Sequence, residues 1–152
     1  MASVKRVFID TNILLRATIT QFPLHEQAKK LIGDQIESAA ELWISRQVIR
    51  EYISQATRPQ LFMNPMTIEQ VEEQIAIMRA LFKIADETET VTVNLLALLK
   101  EYATGGKQVH DANIVATMLA YGVDILLTAN VEDFRRFGNK IAIVPWWKRR
   151  YD

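Results

Sequence analysis

An α/β fold, with a central mainly parallel sheet covered on both faces by helices, is what this sequence predicts. Two observations carry that reading. Short apolar, β-branched runs alternate along the chain with stretches of helical periodicity. The strongest runs are almost continuously apolar, as strands buried on both faces must be, rather than alternating wet and dry.

The elements follow in order. Val4 to Ile9 reads as a buried strand interrupted only by Lys5 and Arg6. Helical spacing begins near Asn12, and a second helix covers Leu24 to Ile36 with Ala28, Leu31 and Ile32 on one face. Leu42 to Ser45 is a second short strand, and Gln47 to Thr57 is a helix striped by Val48, Ile49, Tyr52, Ile53 and Ala56. Arg58-Pro59 ends it, because the residue before proline avoids the helical region. Thr67 with Gln70 is a capping-box signal, opening a helix with Ile68, Val71, Ile75, Met78 and Phe82 at helical spacing. A short strand is expected within Leu81 to Ala85, then a helix through Val91 and Tyr102 that stops at Gly105-Gly106. Val109 to Tyr121 is apolar around most of its circumference, which predicts a deeply packed helix. Asp124 to Thr128 reads as a central strand, Val131 to Phe137 as one or two helical turns, and Ile141 to Val144 as the last strand.

Length and composition narrow the class. The 152 residues are expected to form one domain over 1–152, and 49% hydrophobic with 24% charged residues is an ordinary globular balance. There is no cysteine, so neither a disulfide framework nor a thiolate metal site is available. No segment approaches the roughly 20 apolar residues that span a bilayer, and the expectation is a cytoplasmic protein with no membrane partner. The formal net charge is zero, which weighs against gripping nucleic acid mainly by phosphate neutralisation. It leaves room for an acidic site that meets phosphate through a bound cation.

Candidate site residues gather at strand ends, where ligands bind in open parallel sheets. Asp10, Thr11 and Asn12 follow the first strand, Glu51 lies in the helix after the second, and Asp111 opens the packed helix. Thr128, Asn130 and Asp133 follow the central strand. Several carboxylates without a histidine or cysteine cluster suit hard, oxygen-loving cations such as Mg²⁺ or Mn²⁺. Crowded without a cation, they repel one another and raise their own pKa values, so divalent metal is expected to stabilise the fold. Each residue also has a plain structural use: Asp10 as a helix N-cap, Glu51 as a solvated face residue, Asp111 as a helix-dipole partner, and Asn130 and Asp133 as loop polars. Convergence, rather than any single position, carries the functional reading.

At these residues the chain resembles PIN domains, and among them the VapC-like toxin ribonucleases. The likeness rests on Phe8-Ile9-Asp10-Thr11-Asn12-Ile13-Leu14-Leu15 and on Ser45 through Tyr52. It continues with His110-Asp111-Ala112-Asn113-Ile114-Val115-Ala116 and closes with Leu126-Leu127-Thr128-Ala129-Asn130 plus Asp133-Phe134. Each motif alone is degenerate; four in this order are specific. The resemblance implies a Rossmann-like three-layer α/β/α sandwich and an endoribonuclease that uses one or two Mg²⁺ or Mn²⁺ ions to hydrolyse RNA with activated water. It makes Asp10, Glu51 and Asp111 metal-binding carboxylates, with Asp133 the favoured fourth and Asn130 a neutral ligand or supporting group. Thr11, Asn12 and Thr128 would orient carboxylates or water. A VapB-like antitoxin and a homodimer come with the family, as does the variant of a stand-alone PIN endonuclease in RNA processing.

Competing readings are weaker. A non-catalytic RNA- or protein-binding module on the same scaffold fits the zero net charge and the neutral Asn130. A small-molecule phosphohydrolase is better served by an Asp-x-Asp pair, whereas Asp10 is followed by Asn12, and no glycine-rich loop follows the first strand to hold a dinucleotide. His25 is expected to be exposed, His110 to be structural, and Ser45 has no evident base. Lys5, Arg6, Arg16, Arg46, Arg50 and Lys107 flank the acidic motifs as candidate RNA-backbone contacts. The tail Trp146 to Tyr151 suits either base stacking or packing of Trp146, and Phe62 to Phe82 carries an apolar stripe open to core, dimer or antitoxin roles.

Overall fold

The structure, a computed structural model, describes residues 4–60 and 64–146. Five parallel strands, β1 (Arg6–Ile9), β2 (Glu41–Ser45), β3 (Lys83–Ala85), β4 (Ile125–Thr128) and β5 (Ala142–Pro145), form one sheet in the order β3-β2-β1-β4-β5. Register pairs Phe8 with Trp43 on one side and with Leu126 on the other. The parallel α/β reading therefore holds, including the short strand expected within Leu81 to Ala85. Strand β1 begins at Arg6 rather than Val4, because Val4 and Lys5 stand exposed beyond the sheet. The last strand likewise shifts by one residue, to Ala142–Pro145.

Helices fill the crossovers: α1 (Thr11–Thr18), α2 (His25–Glu37), α3 (Arg46–Ala56), α4 (Ile68–Leu81), α5 (Glu89–Tyr102), α6 (Gln108–Tyr121) and the short α7 (Val131–Phe134), which runs into a 3₁₀ turn at Arg135–Phe137. The helices α1 to α4 touch one another, and α5, α6 and α7 touch one another. Right-handed crossovers produce this division: the chain steps outward from β1 to β3, then crosses to the far side of β1 for β4 and β5. The two sets cover opposite faces of the sheet.

Local chemistry starts the helices where the site needs them. Asp10 caps α1 through Thr11 N–H, Ser45 caps α3 through Val48 N–H, and Thr67 with Gln70 forms the expected reciprocal box on α4. Helix α6 ends at Gly122, whose φ of 69° is left-handed and free of strain only for glycine. The core centres on Val7, Phe8, Ile9, Ile44 and Leu126 from the sheet, with Ile114, Val115 and Met118 of α6 against it, all at most 2% exposed. Enclosing such side chains contributes about 1.5–3 kcal/mol each. As its composition predicts, α6 is buried from Ile114 to Met118.

Candidate active site

The chain leaves β1 toward β2 on one side and returns to β4 on the other, so the crevice at the carboxyl ends opens between β1 and β4. Asp10 lies there, 5% exposed, its backbone N–H donating to Leu127 C=O at 3.1 Å. Its carboxylate accepts three hydrogen bonds. Thr11 N–H donates to Oδ1 at 2.8 Å, while Asn12 Nδ2 and the Thr128 hydroxyl donate to Oδ2 at 3.1 and 2.7 Å. Thr128 in turn accepts from Asn130 N–H at 3.0 Å, and Asn12 Oδ1 accepts from Ala129 N–H at 3.0 Å. Thr128 and Asn12 thus lock the Asp10 rotamer from two strand ends. Asp10 is both the helix cap of the plain reading and a buried, oriented carboxylate.

Three further acids share its field. Glu51 sits half-buried on α3 with Oε1 accepting from Gln47 Nε2 at 3.0 Å. Asp111 occupies the first turn of α6, and Asp133 stands exposed on α7. Burial pushes the Asp10 carboxyl above its ordinary range, against the lowering effect of its three donors, and the Asp133 charge adds to the rise. Burial likewise raises Glu51, with the Asp10 charge contributing and the Gln47 donor opposing. Asp111 moves from 3.8 to about 6, first through burial and then through the charges of Asp133, Asp10 and Glu51, with Arg136 opposing. Four acids from four separated segments therefore act on one another at one end of the sheet. Between the two candidates on the β4 side, Asp133 acts on both Asp10 and Asp111, whereas Asn130 is exposed and contributes its backbone N–H and C=O to Thr128 and Asp133.

The donor set is oxygen throughout, carboxylates with a flanking hydroxyl, which is the chemistry of a hard divalent cation. The Thr11 hydroxyl beside Asp10 is buried with no hydrogen-bond partner among the described residues, a polar group of the kind an ordered water or ion satisfies. As the side chains stand, no three acids or histidines among the described residues are grouped so as to hold a metal ion. In donor chemistry the residues suit a divalent cation of the kind held by one or two carboxylates and several waters.

Several basic residues fall elsewhere than expected. Lys5 and Arg6 lie at the amino ends of the strands, away from the acids, with Arg6 pairing Glu41 at 3.4 Å. Arg46 and Arg50 pair with Asp86 at 2.9 Å and Glu87 at 3.7 Å, and of the two the Arg50 charge still acts on Glu51. The cation that acts on Asp111 is Arg136, held by the Asp133 carbonyl at 3.3 Å and lying over the Phe137 ring at 5.2 Å. In the sequence, Arg135-Arg136 within the short helical stretch Val131 to Phe137 has no pattern that separates a site residue from a surface one. His25 is mostly buried rather than exposed, since Nδ1 bonds the Arg16 carbonyl at 2.7 Å. His110 is exposed and contributes a backbone carbonyl, and Ser45 serves as a helix cap. Trp146 packs, 6% exposed, with the Arg16 guanidinium over its ring at 5.6 Å. Trp147 to Tyr151 and Phe62 lie outside the described residues.

Comparison with known proteins agrees with this geometry. The fold is similar to a chain of VapBC2 from Rickettsia felis bound to a promoter DNA fragment, at 17% identity and a TM-score of 0.68, covering 91% of this chain and 97% of that one. It is similar to a chain of VapBC-1 from nontypeable Haemophilus influenzae, at 21% identity and 0.66, covering 94% and 99%. Mycobacterium tuberculosis VapC20, a sarcin–ricin-loop-cleaving toxin, aligns at 16% identity and 0.59, covering 79% and 86%. At these identities the likeness speaks for the fold. No curated protein matches the sequence. The PIN domain profile matches residues 7–140, nearly the whole described chain, and the protein belongs to the PIN-domain family.

Proposed function

We propose that this protein is a metal-dependent endoribonuclease and the toxin of a VapBC-type toxin–antitoxin pair. The observation that carries the enzymatic reading is the gathering of Asp10, Glu51, Asp111 and Asp133 in one partly buried crevice, where burial first and the neighbouring charges second bring Asp111 to about 6. A fold gains nothing in stability by assembling such a group, and perturbed carboxylates in a crevice mark functional sites. Asp10, Glu51, Asp111 and Asp133 would hold Mg²⁺ or Mn²⁺, as one ion or two, with Asn130 a neutral neighbour. When bound, such a cation lowers the pKa of water and offsets charge on a phosphodiester. The protein's own part is orientation: Thr128, Thr11 and Asn12 aim the Asp10 oxygens, and Gln47 aims Glu51. Arg136, whose charge acts on Asp111 and which bonds the Asp133 carbonyl, would meet a phosphate oxygen. An RNA substrate is in line with the activity named for VapC20.

The antitoxin reading has support on the surface. A groove of about 430 Å³ between α1, α2 and α4 is lined by Leu14, Ala17, Ile32, Met78 and the exposed Ile77 and Leu81. An apolar segment of a partner would cover it, in line with the VapBC complexes that share this fold. Exposed Ile68, Val93 and Leu96 on α4 and α5 provide apolar surface for a homodimer. No helix among the described residues is long and apolar enough to cross a membrane. The test is calorimetric titration of metal-free protein with Mn²⁺ alongside cleavage of single-stranded RNA. Saturable binding and cleavage, both lost in Asp10→Asn, are expected. RNA or protein binding without metal binding would instead select the non-catalytic module.

A further inference from the structure

One buried amide joins two of the candidate ligand helices. Gln47, 3% exposed on α3, uses both of its amide donors and its carbonyl oxygen. Its Nε2 donates to Glu51 Oε1 at 3.0 Å and to the His110 carbonyl at 2.8 Å, and its Oε1 accepts from Asn113 Nδ2 at 2.8 Å. The opposite amide orientation would set Oε1 against two acceptors, so the network itself assigns the side chain. Asn113 Nδ2 also donates to Glu87 Oε1 at 3.1 Å, and Glu87 pairs with Arg50 of α3 at 3.7 Å. His110 and Asn113 bracket Asp111 on α6. A single side chain is therefore bonded to the Glu51 carboxylate and to the helix turn that carries Asp111.

We infer that Gln47 is the positioning residue that sets the spacing between Glu51 and Asp111 and so tunes cation affinity. This rests on the nuclease reading above. Burial and like charge both drive Glu51 away from the other acids, and its freedom to swing out into water opposes a compact site. A neutral donor restrains the carboxylate without neutralising it, leaving its second oxygen free. No other uncharged side chain of this length presents two donors and an acceptor on one rigid plane. A serine or threonine in its place would not span the two helices, and a methionine would fill the space without holding either.

The experiment is Mn²⁺ titration calorimetry on metal-free wild type, Gln47→Met, Asn113→Ala and Asp10→Asn, with melting temperatures taken in EDTA. Gln47→Met is expected to bind Mn²⁺ about 10–100-fold more weakly, the range found when groups that orient metal ligands are removed. Asn113→Ala, which cuts the same brace from its half-exposed side, should weaken binding by a smaller factor and keep the fold if the methionine variant does not. Both variants should approach wild-type RNA cleavage at saturating Mn²⁺, a recovery that a merely structural defect does not show. Wild-type affinity in both variants, with binding lost in Asp10→Asn, overturns the role of Gln47 alone. Absence of Mn²⁺ binding in the wild type overturns this inference together with the nuclease reading.

Discussion

Replacing Asp111 by asparagine removes one of four mutually repelling carboxylates while keeping the side-chain shape. The folded pKa of Asp111 lies near 6 against 3.8 when free, so the native state binds its proton more tightly than the unfolded chain does. Ionisation therefore costs native stability. The cost is fully present above about pH 6, shrinks as pH falls through that value, and is gone below 3.8. At 1.36 kcal/mol per pH unit the ceiling is about 3 kcal/mol, and because the group is only half-buried, solvent screening reduces it to on the order of 1–2 kcal/mol. For a chain of this size that is a rise in Tm of roughly 2–8 °C. Thermal melts of wild type and Asp111→Asn in EDTA at pH 8 and pH 4 make the comparison, with titrations remote from the site cancelling in the difference at each pH. The variant should melt higher at pH 8 and only slightly above wild type at pH 4. A variant that melts no higher at pH 8, or gains equally at both pH values, would refute the claim that burial and neighbouring charges penalise ionised Asp111. Added Mn²⁺ should reverse the order, stabilising the wild type more than the variant.

Other consequences are testable in parallel. Asp10→Asn keeps the α1 cap but sets an amide hydrogen against a donor among Thr11, Asn12 and Thr128, so RNA cleavage should fall at least ~10²-fold with a Tm change of only a few degrees; near-wild-type cleavage would sink the mechanism. Tyr52→Phe removes a buried hydroxyl bonded at 2.7 Å to Thr18, whose own proton goes to the Leu14 carbonyl, and should cost about 0.5–1.5 kcal/mol in denaturant melts, equally with and without Mn²⁺. Leu81→Glu, at an exposed position beside the apolar groove, should leave Tm and RNA cleavage unchanged while weakening capture by an antitoxin co-expressed with it; undiminished capture would move the partner elsewhere. Gly122→Ala, forced to φ 69° with its new methyl 3.2 Å from Arg6 Nη1, should lower stability by about 1 kcal/mol without touching cleavage.

By itself the sequence determined the alternation of strands and helices, because periodicity and capping are local. Val7-Phe8-Ile9 and Ile125-Leu126-Leu127 admit no wet face, Thr67 with Gln70 starts a helix wherever it sits, and the ends of these elements moved by only a residue or so. It also carried the acids, since Asp10, Glu51 and Asp111 lie in motifs legible without coordinates. Tertiary structure alone decided who their neighbours are. Setting β1 between β2 and β4 brings Thr128 to Asp10 across 118 positions of chain, and it sends Lys5 and Arg6 to the opposite end of the sheet. Gln47 reads as one more polar residue on an amphipathic helix until α6 lies against it, and only the fold shows that the Asp133 charge reaches Asp10 and Asp111. Hydrogen bonds and Coulomb forces act through a few ångströms of space, and the chain separations that close those distances are set by burial of the sheet and the handedness of its crossovers.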